Sequence, residues 1–247
     1  MEASLYWLLI TFLITAAAGI AQGLTGFGFA LIAMPLLGAS LGMKSAVVVV
    51  VILSLLTNIA ILAPVRRHVQ LGGMWLLIGS SFAAVPLGAW LLAVAPAAVL
   101  KLAAGLLVCA FAIIQLRGAS FPIRGTRLSY PLTGALSGVL NGSISLSGPP
   151  VALFLSASGM DKMRFRANLT FFALALNIVT VAVYFGQGLL TVEVLRGCLA
   201  GIPGMLAGVV IGISLAGKVA ESAFKRLVLL FLTCSGMWTL ISGLMTL

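Results

Sequence analysis

Apolar residues run along this chain in long unbroken blocks. The segments 46–63, 74–94, 169–185, 199–215 and 227–247 are nearly continuous hydrocarbon, and each is long enough to cross a bilayer as a helix. Polar interruptions fall near 38–44, 65–73, 95–98, 117–130, 156–166, 186–190 and 217–224, so these are the expected loops. The opening run 6–18 has the length of a signal-peptide core. It lacks a basic flank and continues into another apolar helix, so it reads as part of the membrane domain.

Two stretches break the pattern. "NGSISLSGPPVALFLSASG" begins at Asn141 and carries three serines at alternate positions before Gly-Pro-Pro. The segment 131–158 is too short for two spans of roughly 20 residues each. Two half-helices meeting at mid-membrane fit it better, with the second starting near Pro149, since proline is favoured in a first helical turn. Such a break would aim free N–H groups and the positive end of a helix dipole into the membrane interior. Ser143, Ser145 and Ser147 would add hydroxyls, Asn141 an amide, and Gly142 and Gly148 the backbone freedom. Bare backbone at that depth is tolerated inside protein or along a wet cavity, and an anion site is its natural use.

"AQGLTGFGFALIAMPLL", starting at Ala21, offers a second break through Gln22, Thr25, Gly26 and Gly28. Asn58 and Asn177 lie in the apolar helix that follows each break, where an amide facing lipid is costly, so both are expected to face the break. Close helix packing through small residues is the competing account of the serines, and the leading one for Gly19 and Gly23.

The halves align at an offset of 119 residues, which pairs Gly19 with Gly138, Gln22 with Asn141, Gly23 with Gly142 and Asn58 with Asn177. Let 5–40 and 131–158 each enter and leave on one side, each followed by three spans. Arg66, Arg67, Arg117, Arg124, Arg127, Lys162, Arg164, Arg166, Lys218, Lys225 and Arg226 then share one face, leaving Lys44, Lys101 and Arg196 opposite. That asymmetry obeys the positive-inside rule; letting each segment cross once destroys it. The expected fold is therefore an all-α polytopic membrane protein of two inverted repeats, 1–118 and 131–247, joined by a basic cytoplasmic linker at 119–130. Each repeat is a broken, re-entrant hairpin followed by three transmembrane helices, with both termini away from the cytoplasm.

Composition agrees. Of the 247 residues 62% are hydrophobic and 7% charged, too few charges to cover a soluble surface. The net charge of +10 does not indicate nucleic acid, because it resides in loops between spans. Cys109, Cys198 and Cys234 are isolated and read as small core residues. No metal cluster, phosphate loop or nucleophile with a base partner is present, so neither catalysis nor a cofactor is expected. No acid is expected deep in a span, which disfavours a carboxylate proton relay or cation site. Asp161 is expected to offset its basic neighbours, Glu193 to pair with Arg196 one turn on, His68 to be solvated, and Tyr6, Trp7, Trp75, Tyr184 and Trp238 to anchor at the interface.

"GIAQGLTGFGFALIAMPLL", "GVLNGSISLSGPPVALFLSASG", the asparagine-bearing helices and "MDKMRFRAN" together resemble the sulfite exporter TauE/SafE family of membrane permeases. Gly142, Gly148 and Pro149 match that family's glycine-rich break, whereas Phe27 and Phe29 flank Gly28 where a glycine run is common. The resemblance implies movement of sulfur oxyanions, organosulfonates or related small anions across a bacterial inner membrane. The resulting expectation is a secondary transporter that binds a small anion between the breaks, surrounded by lipid and with a homo-oligomer possible. An anion channel and a noncatalytic assembly protein are the alternatives.

Overall fold

A computed structural model describes residues 2–116, 128–157, 160–215 and 221–245, with 2–5 and 221–232 as backbone alone. The described residues form ten α-helices and no strand. In chain order they are α1 (Glu2–Thr25), α2 (Phe29–Ser40), α3 (Met43–Val65), α4 (Met74–Val94), α5 (Ala97–Leu116), α6 (Ser129–Ile144), α7 (Gly148–Ser156), α8 (Lys162–Gly186), α9 (Val192–Leu215) and α10 (Glu221–Leu244). A single 3₁₀ turn, Arg66–His68, follows α3 and is exposed. Residues 117–127, which include most of the expected linker at 119–130, lie outside the described residues.

Both breaks form where the sequence places them. Thr25 ends α1 and Phe29 begins α2, with Gly26 at φ 85° and Gly28 at φ 118°, left-handed values that a side chain would resist. Ile144 ends α6 and Gly148 begins α7. The arms are unequal, however. At 24 residues α1 is about 36 Å long and able to cross a bilayer by itself, whereas α7 has nine residues. Among the described residues six helices are long and apolar enough to span: Tyr6–Thr25, Met43–His68, Met74–Val94, Ala97–Leu116, Lys162–Gly186 and Val192–Leu215. The first of these makes α1 a full span, so the opening hairpin pairs a spanning helix with the 12-residue α2.

Small residues let the helices meet backbone to backbone. Gly204, Gly208 and Gly212 of α9 lie against the carbonyls of Phe12, Ala16 and Ile20 of α1, in that order, so the two helices run parallel. Gly134 and Gly138 of α6 lie against Leu77 and Ser81 of α4, again in parallel. Gly19 belongs to this packing, since a Cβ there would sit 2.7 Å from the Met205 carbonyl oxygen. Gly23 does too, at 2.9 Å from Gly212 Cα. In a bilayer, where lipid is as apolar as leucine, such close approach is a main source of helix association.

The ends of the bundle sort the charges. The Gln70 N–H donates to Asn168 Oδ1 at 2.8 Å and the Tyr130 ring lies over Gly73, so the α3–α4 connection and the starts of α6 and α8 share one end with Arg66, Arg67, Lys162 and Arg164. At the other end Lys44 Nζ donates to the Ala93 carbonyl at 2.6 Å, and Ser45 Oγ donates to Glu193 Oε2 at 3.2 Å. It follows that α1, parallel to α9, runs toward the Arg66 end, while α6, parallel to α4, runs away from it.

Packing groups α1, α2 and α3 with α9, and α6, α7 and α8 with α4; α5 pairs with α10, and α3 crosses α8 between the two groups. Each group thus borrows one helix from the other half of the chain.

Several individual expectations change. Tyr184 is fully buried instead of sitting at the interface, whereas Tyr6, Trp75 and Trp238 are well exposed to the surroundings. Among the described residues Glu193 bonds to Ser45 and makes no pair with Arg196, because Ser45 on α3 lies directly opposite it. Asp161 caps α8 by accepting from the N–H groups of Met163 and Arg164, and it pairs with the Arg164 guanidinium at 2.9 Å. Arg164 and Arg166, expected in a loop, are helical. Cys109 and Cys198 are buried as expected, but Cys234 is exposed.

Candidate functional site

The two breaks meet. Residues from both, with side chains from α3 and α8, line one cavity of about 50 Å³. A single ordered water needs roughly 10–15 Å³ on this measure, so the space suits a few waters or one compact ion. None of the lining residues is charged.

Of the twelve residues singled out from the sequence, nine line this cavity: Gln22, Gly26, Gly28, Asn58, Asn141, Ser145, Ser147, Gly148 and Asn177. The other three do not, each for a local reason. Ser143 Oγ donates back to the Val139 carbonyl at 2.7 Å, one helical turn below. Gly142 faces α4, and a Cβ there would lie 2.7 Å from Ala89 N and Val85 O, so it is a packing glycine. Thr25 Oγ1 donates to the Ala21 carbonyl at 2.7 Å and so caps its own helix end. The alternation of serines is therefore not one functional stripe: helix α6 ends at Ile144, after Ser143 and before Ser145. Sequence reasoning missed Ser54, which lines the cavity from α3 one turn before Asn58.

Amide pairs set the polarity of the walls. Gln22 Nε2 donates to Asn58 Oδ1 at 2.8 Å, and Asn141 Nδ2 donates to Asn177 Oδ1 at 3.0 Å. These are the residues the 119-residue offset matches, and both pairs span 36 residues. Thr180 fixes the orientation of the second pair. Its hydroxyl proton goes to the Leu176 carbonyl at 2.8 Å, so its oxygen can only accept, and Asn141 Nδ2 donates to it at 2.8 Å. Asn141 must therefore turn its NH2 toward α8, and Asn177 must answer with its oxygen. The NH2 groups of Asn58 and Asn177 make no hydrogen bond among the described residues, and both residues line the cavity.

Backbone adds to this. Phe29, Ala30 and Leu31 begin α2 against the cavity, where their N–H groups have no earlier helical carbonyl to bond. The start of α7 is poorer in donors than the sequence led us to expect, because Pro149 and Pro150 carry no N–H. Around the second break the hydroxyls of Ser145 and Ser147 take that part. Ser145 ends α6 in the left-handed conformation, φ 60°, with its N–H bonded to the Asn141 carbonyl at 3.0 Å. Neither serine hydroxyl makes a hydrogen bond to another described residue. Tyr184 Oη secures this turn from α8, donating to the Gly142 carbonyl at 2.7 Å.

The result is a cavity that offers the NH2 groups of Asn58 and Asn177, hydroxyls that can donate or accept, and the unpaired acceptor Gln22 Oε1, at the positive ends of two helices and with no carboxylate in its wall. It can hold a small anion by hydrogen bonds and dipoles. Among the described residues no cluster of histidine, cysteine or acidic side chains could hold a metal. The family model described as Sulfite exporter TauE/SafE matches residues 11–239, which include both breaks and every cavity residue. No curated protein and no solved structure matches the chain.

Proposed function

The chain belongs to the sulfite exporter TauE/SafE family, a family of membrane transporters for sulfur compounds, and on that premise we propose that it is a secondary transporter of a compact sulfur oxyanion. The carrying observation is the meeting of both helix breaks at one uncharged, donor-lined cavity. Its volume accommodates sulfite or a similar compact oxyanion. The protein is a multi-pass membrane protein, and we place it in a bacterial inner membrane with the Arg66 end in the cytoplasm. The opposite directions of α1 and α6 support reading 1–118 and 131–247 as inverted repeats, and alternating access as the mode of transport.

Recognition follows from the atoms. The NH2 groups of Asn58 and Asn177, the hydroxyls of Ser145 and Ser147 and the amides opening α2 converge on an oxyanion that accepts in several directions. A cation would find no carboxylate to balance its charge. Without an acid in the wall, any linked proton would travel on the substrate.

The test is thermal stability of the purified protein against sulfite, sulfate, thiosulfate, taurine, sulfoacetate, isethionate and acetate. A ligand bound only by the folded state stabilises by about 2.7 kcal/mol at a hundredfold excess over its dissociation constant. Stabilisation by sulfite or another compact oxyanion that is absent with acetate supports the reading. Equal indifference to all seven would sink it. Trans-accelerated counterflow of labelled sulfite in proteoliposomes then separates a carrier from a channel.

A further inference from the structure

Arg166 does something at the first break that its place in a basic stretch does not announce. Its side chain leaves the second turn of α8 and lies against Gly26, where a Cβ would meet Arg166 Cγ at 2.6 Å. Its Nη2 donates to the Gly23 carbonyl at 2.6 Å, in the last turn of α1. One turn further along α8, Thr170 Oγ1 donates to the Gly26 carbonyl at 3.3 Å. These carbonyls belong to the end of α1, where helical partners run out and the dipole is negative, so a guanidinium is suited to hold them.

Two features make this more than a helix cap. The Arg166 Nε is buried without a partner, so the guanidinium sits in a place that does not satisfy it fully. The clamp is also one-sided. At the 119-residue offset the counterparts of Arg166 and Thr170 are Val47 and Val51, buried aliphatics of α3 that donate nothing. Helix α8 thus bonds to both breaks: through Arg166 and Thr170 to the first, and through Asn177, Thr180 and Tyr184 to the second. Among the described residues helix α3 bonds to the first alone, through Asn58.

The packing groups give these bonds a role. Bonds from α8 to the second break stay inside the group of α4, α6, α7 and α8. The bonds of Arg166 and Thr170 cross to the group of α1, α2, α3 and α9. We propose that Arg166 is a positioning residue for transport: it latches the first break to the opposite group and so holds the cavity shut on the side of the α8 N-terminus, and its release accompanies opening. The bodies that part are then these two interleaved groups, not the two halves of the sequence. This rests on the transporter reading above.

The experiment compares wild type, Arg166→Gln, Arg166→Lys and Thr170→Val by backbone hydrogen exchange in nanodiscs and by labelled-sulfite counterflow in proteoliposomes. Losing a hydrogen bond made by a charged group corresponds to roughly a 10- to 100-fold change in a local equilibrium. Arg166→Gln is expected to speed exchange at 26–31 by about that factor, leave 145–151 as in wild type, and change the maximal counterflow rate with half-saturating sulfite held within about twofold. Arg166→Lys keeps the charge and is expected to recover part of both effects; Thr170→Val, losing the longer bond, is expected to show a smaller change. Equal loosening of both breaks, or unchanged exchange and counterflow in Arg166→Gln, would overturn the latch. Absence of counterflow in wild type would count against the transport reading, and the exchange comparison would still decide whether Arg166 holds the first break.

Discussion

Asn141 donates to the side-chain oxygen of Asn177 across 3.0 Å, and this bond decides which end of Asn177 is left for a ligand. Asn177→Asp retains the oxygen that accepts from Asn141 and replaces the cavity-facing NH2 with an anionic oxygen. Sulfite-induced stabilisation is expected to vanish, with apparent affinity falling on the order of 100-fold or more, because a donor is lost and a like charge is gained. Titration of the thermal midpoint against sulfite measures it, and wild-type affinity in this variant would refute the donor-lined site.

Ser143 and Ser147 look equivalent in the sequence and differ in the structure. Ser143 is committed to the Val139 carbonyl, whereas Ser147 lines the cavity without a bond to another described residue. Ser147→Ala is expected to weaken sulfite binding by about tenfold, the worth of one hydrogen bond to an ion. Ser143→Ala should leave binding within about twofold. The same titration compares the pair, and the reverse order would misplace the break.

Gly142 carries a different load. A methyl group there would press on Ala89 N and Val85 O at 2.7 Å, with backbone on both sides unable to yield. Gly142→Ala is expected to destabilise the fold by about 1–3 kcal/mol through overpacking. The readout is a lowered thermal midpoint, with sulfite still raising it in whatever protein remains folded.

Tyr184→Phe removes the hydroxyl that donates to the Gly142 carbonyl and changes little else. A buried carbonyl that loses a partner costs about 1–3 kcal/mol. Thermal unfolding checks the amount, and hydrogen exchange at 145–151 is expected to quicken ahead of exchange within α6.

Much of this was legible in the sequence, for identifiable reasons. Gly-Pro-Pro after alternating serines announces a helix break because few other structures tolerate those residues at membrane depth. Asn58 and Asn177 stand out because an amide in an apolar run needs a partner. What stayed hidden depends on rotation about helix axes and on pairing between distant segments. Nothing local tells Ser143 from Ser145; the difference is that α6 stops between them. Tyr184 near the end of an apolar run looks like an interface residue, and only the packing of α6 beneath it makes it a buried donor. Arg166 belongs to "MDKMRFRAN", whose charges mark a cytoplasmic loop, and its contact with Gly23 lies 143 residues back.

Ser145 bears on how this protein balances durability against work. It is the one non-glycine among the described residues with a positive φ, in a chain that uses glycine 28 times. Glycine would occupy that turn more comfortably, by about 1–2 kcal/mol. Ser145→Gly should therefore yield a protein that withstands more heat and holds sulfite less well. A selection for thermal robustness alone would be drawn to this position, and what it gained in endurance it would lose in grip on the substrate.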